Sequence, residues 1–267
     1  MGGAERAERK RRQQEAAARR QQPQAASQRQ DGGGRRVVTA VAAVVVVLLA
    51  VVVGVGVWLQ QRDTPEEPPD AIPVTPPAAG YAVESQGGAI VAGERGAPVT
   101  IDVYEDFLCP GCAELEDRDG DRLAQAAAGG QARVRYHPIA LLDEESEPPG
   151  YSTLAAGASH CAAAAGIFPT LHTSLFAEQP TQGEPGWTRP QIVALGRQLG
   201  AGDGFARCVR GDAVEQQVTV ATQQARQRIA ALRGDGLVGT PTVLVDGKLA
   251  DPGDSEWLDR ALGTAER

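Results

Sequence analysis

Hydrophobic positions along the chain fall into three regimes. Residues 37–59 form one apolar run without a charged residue. Beyond residue 80, short apolar blocks alternate with longer stretches in which apolar residues recur every three or four positions. Residues 1–36 follow neither pattern and offer no apolar face to bury.

The short blocks predict strands and the longer stretches predict helices. Strands are expected at 89–92, 99–104, 133–139 and 242–245. Helices are expected at 112–128, 152–165, 170–178, 189–199 and 213–232. Gly129 and Gly130 stop the first helix. In the last, Val214, Val218, Ala221, Ala225, Ile229 and Leu232 lie on one face. Asp246-Gly247 signals a hairpin turn, with Lys248 opening the return strand. Ser255 is a cap candidate for a closing helix that ends at Leu262. The order gives a β-α-β half and a β-β-α half, separated by a helical block. The predicted class is therefore α/β.

The run at 37–59 would extend about 34 Å as a helix, enough to cross a hydrocarbon core of about 30 Å. It exceeds the apolar region of a cleavable signal and lacks a small-x-small cleavage site, so a retained transmembrane signal anchor is expected. Charge supplies its orientation. Residues 1–36 hold ten basic and four acidic residues, a net of +6, and the rest of the chain carries −14 toward the total of −8. The positive-inside bias places the basic tail in the cytoplasm and everything after the span outside. Residues 60–80, with Pro65, Pro68, Pro69, Pro73, Pro76 and Pro77, read as an extended spacer. Residues 81–267 are long enough for one well-cored domain. The basic tail lacks aromatic residues for stacking and any nucleic-acid-binding module, so its expected contact is the lipid bilayer and not nucleic acid.

All four cysteines, at 109, 112, 161 and 208, fall on the outer, oxidising side. Cys109-Pro110-Gly111-Cys112 joins a predicted strand to a predicted helix. A helix start stabilises a thiolate, the species that attacks a disulfide. Pro110 has no N–H, so the donors available to Cys109 are the Gly111 and Cys112 amides and the Cys112 thiol. Glu105, Asp106, Glu114 and Glu116 oppose ionisation, so the expected pKa of Cys109 is depressed but not extreme. Half a zinc site is the competing reading. It lacks a second pair, because Cys161 and Cys208 stand far apart and His137, His160 and His172 have no ligand spacing. No metal and no cofactor is expected beyond the redox-active disulfide. A Cys161–Cys208 bond would close a loop of nearly fifty residues and act as a structural staple. Free buried thiols and a second redox relay remain open. Thr240-Pro241 stands where a strand begins, a position at which proline is tolerated.

The segments IDVYEDFLCPGC, SHCAAAAGIFPTLHTSLF and GLVGTPTVLVDGK, in that order, resemble DsbA-like thiol–disulfide oxidoreductases, in particular the membrane-anchored forms of actinobacteria. The resemblance spans roughly residues 90–265. It implies a thioredoxin fold with a helical insertion at about 140–235. By it, Cys109 attacks, Cys112 resolves, Thr240-Pro241 is the cis-proline loop facing them, and Cys161–Cys208 is a structural disulfide. It implies extracytoplasmic polypeptides as substrates and a membrane quinone-linked reoxidase of the vitamin K epoxide reductase or DsbB type. Many relatives carry a buried acid six residues before the first cysteine, where this chain has Val103. Proton transfer at Cys112 would then fall to water, Asp102 or Glu105. His137 and His172 read as packing residues. A reductase or isomerase on the same scaffold, and an anchored binding or chaperone module, are the alternative functions.

Overall fold

The computed structural model describes residues 71–263. The basic tail, the expected anchor and residues 60–70 of the spacer lie outside the described residues. Among the described residues, no helix is long and apolar enough to cross a membrane.

Six strands form one sheet: β1 (Val83–Gln86), β2 (Ala89–Ala92), β3 (Val99–Glu105), β4 (Ala132–Pro138), β5 (Thr242–Val245) and β6 (Lys248–Ala250). Their spatial order is β1-β2-β4-β3-β5-β6. Among the described strands only β3 and β4 pair in parallel, with Ile101 opposite Val134. A parallel pair needs a crossover. Helix α1 (Pro110–Leu115), a π-helical turn (Glu116–Gly120) and helix α2 (Asp121–Ala128) provide it. The β5–β6 hairpin turns at Asp246-Gly247, where both residues have positive φ. Helix α8 (Trp257–Leu262) follows it.

Strand β3 is central, and its last five residues are buried. Because side chains alternate along a strand, Ile101, Val103 and Glu105 share one face, and Asp102 and Tyr104 share the other. Ile101 and Val103 pack into the larger core with Phe107, Leu123, Phe168, Leu171 and both active-region cysteines. Tyr104 packs into a smaller core with Ile139, Ala225, Ile229 and Leu244.

The helical block between β4 and β5 holds α3 (Tyr151–Ala165), α4 (Phe168–Ala177), α5 (Arg189–Gln198), α6 (Asp203–Val209) and α7 (Asp212–Arg233). Cys161 on α3 and Cys208 on α6 are joined by a disulfide. On α7 the buried face is Val214, Val218, Thr222, Ala225 and Ile229. Thr222 is buried because its hydroxyl accepts the Ala140 N–H at 3.0 Å, whereas Leu232, expected on this face, is 36% exposed.

Four further differences from the sequence expectations have physical causes. The single helix expected at 112–128 begins at Pro110 and is interrupted by the π turn. Strand β1 is a mostly exposed edge of sequence VESQ, with no apolar alternation to betray it. Ser255 does not cap α8; Asp254 does the local work, its carboxylate accepting the Glu256 N–H at 3.0 Å. The spacer expected through residue 80 is packed onto the domain in its last part. Ile72 is buried, the Thr75 N–H donates to Ser174 Oγ at 2.9 Å, and the Ala78 N–H donates to Asp121 at 3.0 Å.

Candidate active site

Cys109 occupies the N-cap of α1 in extended conformation, and Pro110 supplies the first helical residue, where its missing N–H costs nothing. The Cys112 N–H and the Ala113 N–H both donate to the Cys109 carbonyl, at 3.0 and 3.2 Å. Two glutamines that sequence reasoning did not single out hold this loop from the helical block. Gln179 Nε2 donates to the Cys109 carbonyl at 3.0 Å, and Gln182 Nε2 donates to the Leu108 carbonyl at 3.2 Å. Polar residues in a connecting loop carry no sequence signal for such contacts.

Thr240-Pro241 comes to the cysteines from the start of β5, with a cis peptide bond. The Cys109 thiol donates to the Thr240 carbonyl at 3.1 Å. Gly111 permits this approach, since a Cβ there would sit 3.1 Å from Pro241 Cδ. The structure thus brings Cys109, Pro110, Gly111, Cys112, Thr240 and Pro241 into one site.

The two sulfurs, both present as free thiols, differ sharply in electrostatics. Hydrogen bonding from the Cys112 thiol is the largest influence on Cys109. With the Thr240 side chain and the Cys112 and Gly111 amides, it outweighs desolvation and lowers the Cys109 pKa to about 6. Cys112 goes the other way. Burial, then the hydrogen bond and charge of Cys109, push its thiol well above the ordinary range, and Glu105 adds to the rise. Cys109 is 7% exposed and Cys112 only 1%. Both cysteines are buried, but Cys109 keeps a small opening to solvent and is favoured as the thiolate near neutral pH, while Cys112 is enclosed and favoured as the thiol.

Of the neighbouring carboxylates, Glu114 is solvent-exposed as its sequence position suggests, but Glu105 and Asp106 are buried and Glu116 largely so. Asp106 is fully buried. It accepts the Leu108 N–H at 2.9 Å, the Ser152 hydroxyl at 2.7 Å and the Leu142 N–H at 2.9 Å, and burial raises its pKa. Asp102, proposed as a proton partner for Cys112, lies on the opposite face of β3. There it bonds His137 Nε2 at 2.7 Å and pairs with Arg135 at 3.3 Å. Glu105 lies on the face of the larger core, and its Oε1 contacts His172 Nε2 at 2.8 Å.

His172 is a third residue whose role sequence reading missed. It packs against the rings of Phe107, Tyr136, Phe168 and Phe176 but also bonds Glu105, 67 positions away in the chain. Its Nδ1 lies 3.8 Å from Glu116 Oε2. Burial alone would lower its pKa; the Glu105 and Glu116 carboxylates outweigh that and raise it. Side-chain nitrogen and oxygen atoms of these three residues lie within 4.8 Å of one another. The imidazole turns one ring nitrogen toward each carboxylate, an arrangement suited to sharing protons.

The sequence matches the family model described as thioredoxin over residues 85–263. The chain belongs to that family, and its sheet with an inserted helical block is the thioredoxin fold so elaborated. It is similar to the MdbA protein, a thiol-disulfide oxidoreductase from Corynebacterium diphtheriae, at 25% identity and TM-score 0.60, covering 68% of this chain and 94% of that one. Reduced DsbA from Mycobacterium tuberculosis shares the fold at 23% identity and TM-score 0.51, over 67% of this chain and all of that one. The serine/threonine-protein kinase PknE of Mycobacterium tuberculosis is 28% identical over 180 residues, 65% of this chain. The chain spans about a third of the length of that curated relative, the match covering 31% of it.

Proposed function

We propose that the protein is a membrane-anchored, extracytoplasmic thiol–disulfide oxidoreductase that forms disulfides in secreted or cell-envelope polypeptides. The observation that carries this reading is the asymmetry of the two sulfurs, with Cys109 at about 6 and Cys112 pushed far up. The likeness to MdbA supports the class. The apolar run at 37–59 and the basic segment before it support the anchor and its orientation.

In the forward reaction a substrate thiolate attacks Cys109 Sγ of the Cys109–Cys112 disulfide, and Cys112 departs with the bonding electrons. A second substrate thiolate then attacks the substrate sulfur of the mixed disulfide and expels Cys109 as a thiolate. The substrate leaves with one disulfide and the protein holds two thiols. A membrane quinone-linked reoxidase of the vitamin K epoxide reductase or DsbB type would restore the bond.

Magnitudes favour the oxidising direction. Lowering the pKa from about 8.5 to about 6 raises the thiolate fraction at neutral pH roughly thirtyfold, but intrinsic nucleophilicity falls by roughly tenfold or more over the same span. Cys109 gains little as an attacking group. It gains as a leaving group, and a stabilised thiolate favours the reduced form, which makes the disulfide more oxidising. A reductase or a chaperone module draws no benefit from that stabilisation, whereas an isomerase, which rests reduced and must also expel Cys109, shares it and differs in acting on misoxidised substrates. The test is the reduction potential of the full chain, measured against glutathione. It is expected nearer about −120 mV than about −270 mV. A value at the reducing end would assign the protein to the reductase reading.

A further inference from the structure

We propose that Glu105, His172 and Glu116 form a buried proton relay between the Cys112 sulfur and the solvent of a surface cavity beside α1. This rests on the dithiol–disulfide reading of Cys109 and Cys112.

The need for such a relay follows from burial. Each time the Cys109–Cys112 bond breaks, the electron pair stays on Cys112, whose side chain is almost wholly enclosed. A bare thiolate there is costly, as the direction of the Cys112 shift shows. One proton must arrive when Cys112 departs and leave when the disulfide reforms. Asp106, whose N–H lies 3.5 Å from Cys112 Sγ, has both carboxylate oxygens committed to donors. Asp102 faces away. Glu105 is buried on the near face, acts electrostatically on Cys112, and its Oε2 has no hydrogen-bond partner.

From Glu105 the path continues outward. Glu105 Oε1 meets His172 Nε2 at 2.8 Å, and His172 Nδ1 lies 3.8 Å from Glu116 Oε2. Glu116, one helical turn after Cys112, lines a cavity of about 470 Å³ together with Glu114, Asp117 and Asp121. A π turn begins at Glu116, and Gly120 at its end leaves this carboxylate room: a Cβ at 120 would lie 2.5 Å from Glu116 Oε2. π turns of this kind recur at functional sites.

The relay moves protons only. A substrate thiolate attacks Cys109, the Cys109–Cys112 bond breaks, and Cys112 takes the proton that His172 shares with Glu105. His172 is reprotonated from Glu116, and Glu116 from cavity water. Reoxidation reverses each transfer. The charged and titratable groups facing these members are Cys109 and Glu105 around Cys112, Glu105, Glu116 and the Tyr136 ring around His172, and His172, Glu105, Asp119, Asp121 and the hydrogen-bonded phenols of Tyr81 and Tyr136 around Glu116; burial raises both phenols, so they stay neutral. Burial first, then Glu105, Asp119 and Asp121, hold Glu116 at about 7 against the opposing pull of His172.

The test is the rate at which a dithiol peptide reduces the oxidised full chain across pH, normalised to the peptide's own thiolate. The rate of the unaltered chain is expected to fall as pH rises through about 7, where Glu116 gives up its proton. Glu116→Gln is expected to slow reduction about tenfold or more below that point and to flatten the profile. Glu116→Asp should restore the inflection. Should Glu116→Gln fail to fold, Gly120→Ala, which displaces the same carboxylate, should flatten the profile equally. The Cys109 thiolate midpoint, read on the same variants, should stay near about 6. A free-thiol midpoint in the unaltered chain would sink the oxidoreductase reading itself. A midpoint near 6 with an unchanged pH profile in Glu116→Gln or Gly120→Ala would overturn the relay alone.

Discussion

Cys109→Ser is expected to reduce disulfide transfer from the full chain to a reduced, unfolded protein to the uncatalysed background. Cys112→Ser is expected to behave differently. Challenged with a disulfide-bonded peptide, it should still attack through Cys109 and then accumulate the mixed disulfide, because no second sulfur remains to resolve it. Mass spectrometry after acid quenching separates the two outcomes. The difference arises from placement. Cys109 sits at the helix start with its sulfur partly open and with amides directed at it, whereas Cys112 is enclosed one turn further in. Equal residual activity in the two variants would contradict the division of roles. Full function in Cys109→Ser would favour the binding-module alternative.

Removing the Cys161–Cys208 bond is expected to lower stability by about 4 kcal/mol, the chain-entropy value for a loop of this length, or roughly a thousandfold in the folded-to-unfolded ratio. The bond ties α3 to α6 across 47 positions, and Cys161 is buried in the larger core. The double replacement Cys161→Ala and Cys208→Ala leaves no unpaired thiol, and denaturant unfolding of the chain measures the loss. At low temperature, where the variant is still folded, exchange through Cys109 should persist. Loss of exchange in a folded variant would instead make this pair the second redox relay.

Much of the scaffold could be read from residue patterns because its signals are local. The β-branched and aromatic residues of β3, the glycine stop after α2 and the Asp246-Gly247 turn each declare an element within a few residues. The grouping of Cys109, Cys112 and Thr240-Pro241 followed from motif order and resemblance. What escaped notice depends on contacts between distant residues. Strand β1 has a polar sequence and is a strand because it pairs with β2. Helix α6 is a single short stretch held by packing and a disulfide. The burial of Glu105, Glu116 and His172 is a product of three elements meeting under the cysteines, and a glutamate in a helix reads from sequence as solvated. Glu116 stands at the start of a π turn, and Gly120 at the end of that turn leaves its carboxylate space.

Thiolate stabilisation also sets a pH dependence for the reduced form. The folded value of Cys109 lies below its unfolded value of about 8.5, so the stabilisation is complete above about 8.5 and is lost as pH falls through about 6. The disulfide form has no such thiol. The oxidising tendency of the pair should therefore weaken in acid.

Ultraviolet absorbance of the reduced full chain as a function of pH, with Cys109→Ser as the blank, reads the state of this sulfur directly. One thiolate should appear with a midpoint at about 6, and Cys112 should contribute nothing at neutral pH. A midpoint at about 8.5, the value of an unperturbed cysteine, would contradict the account.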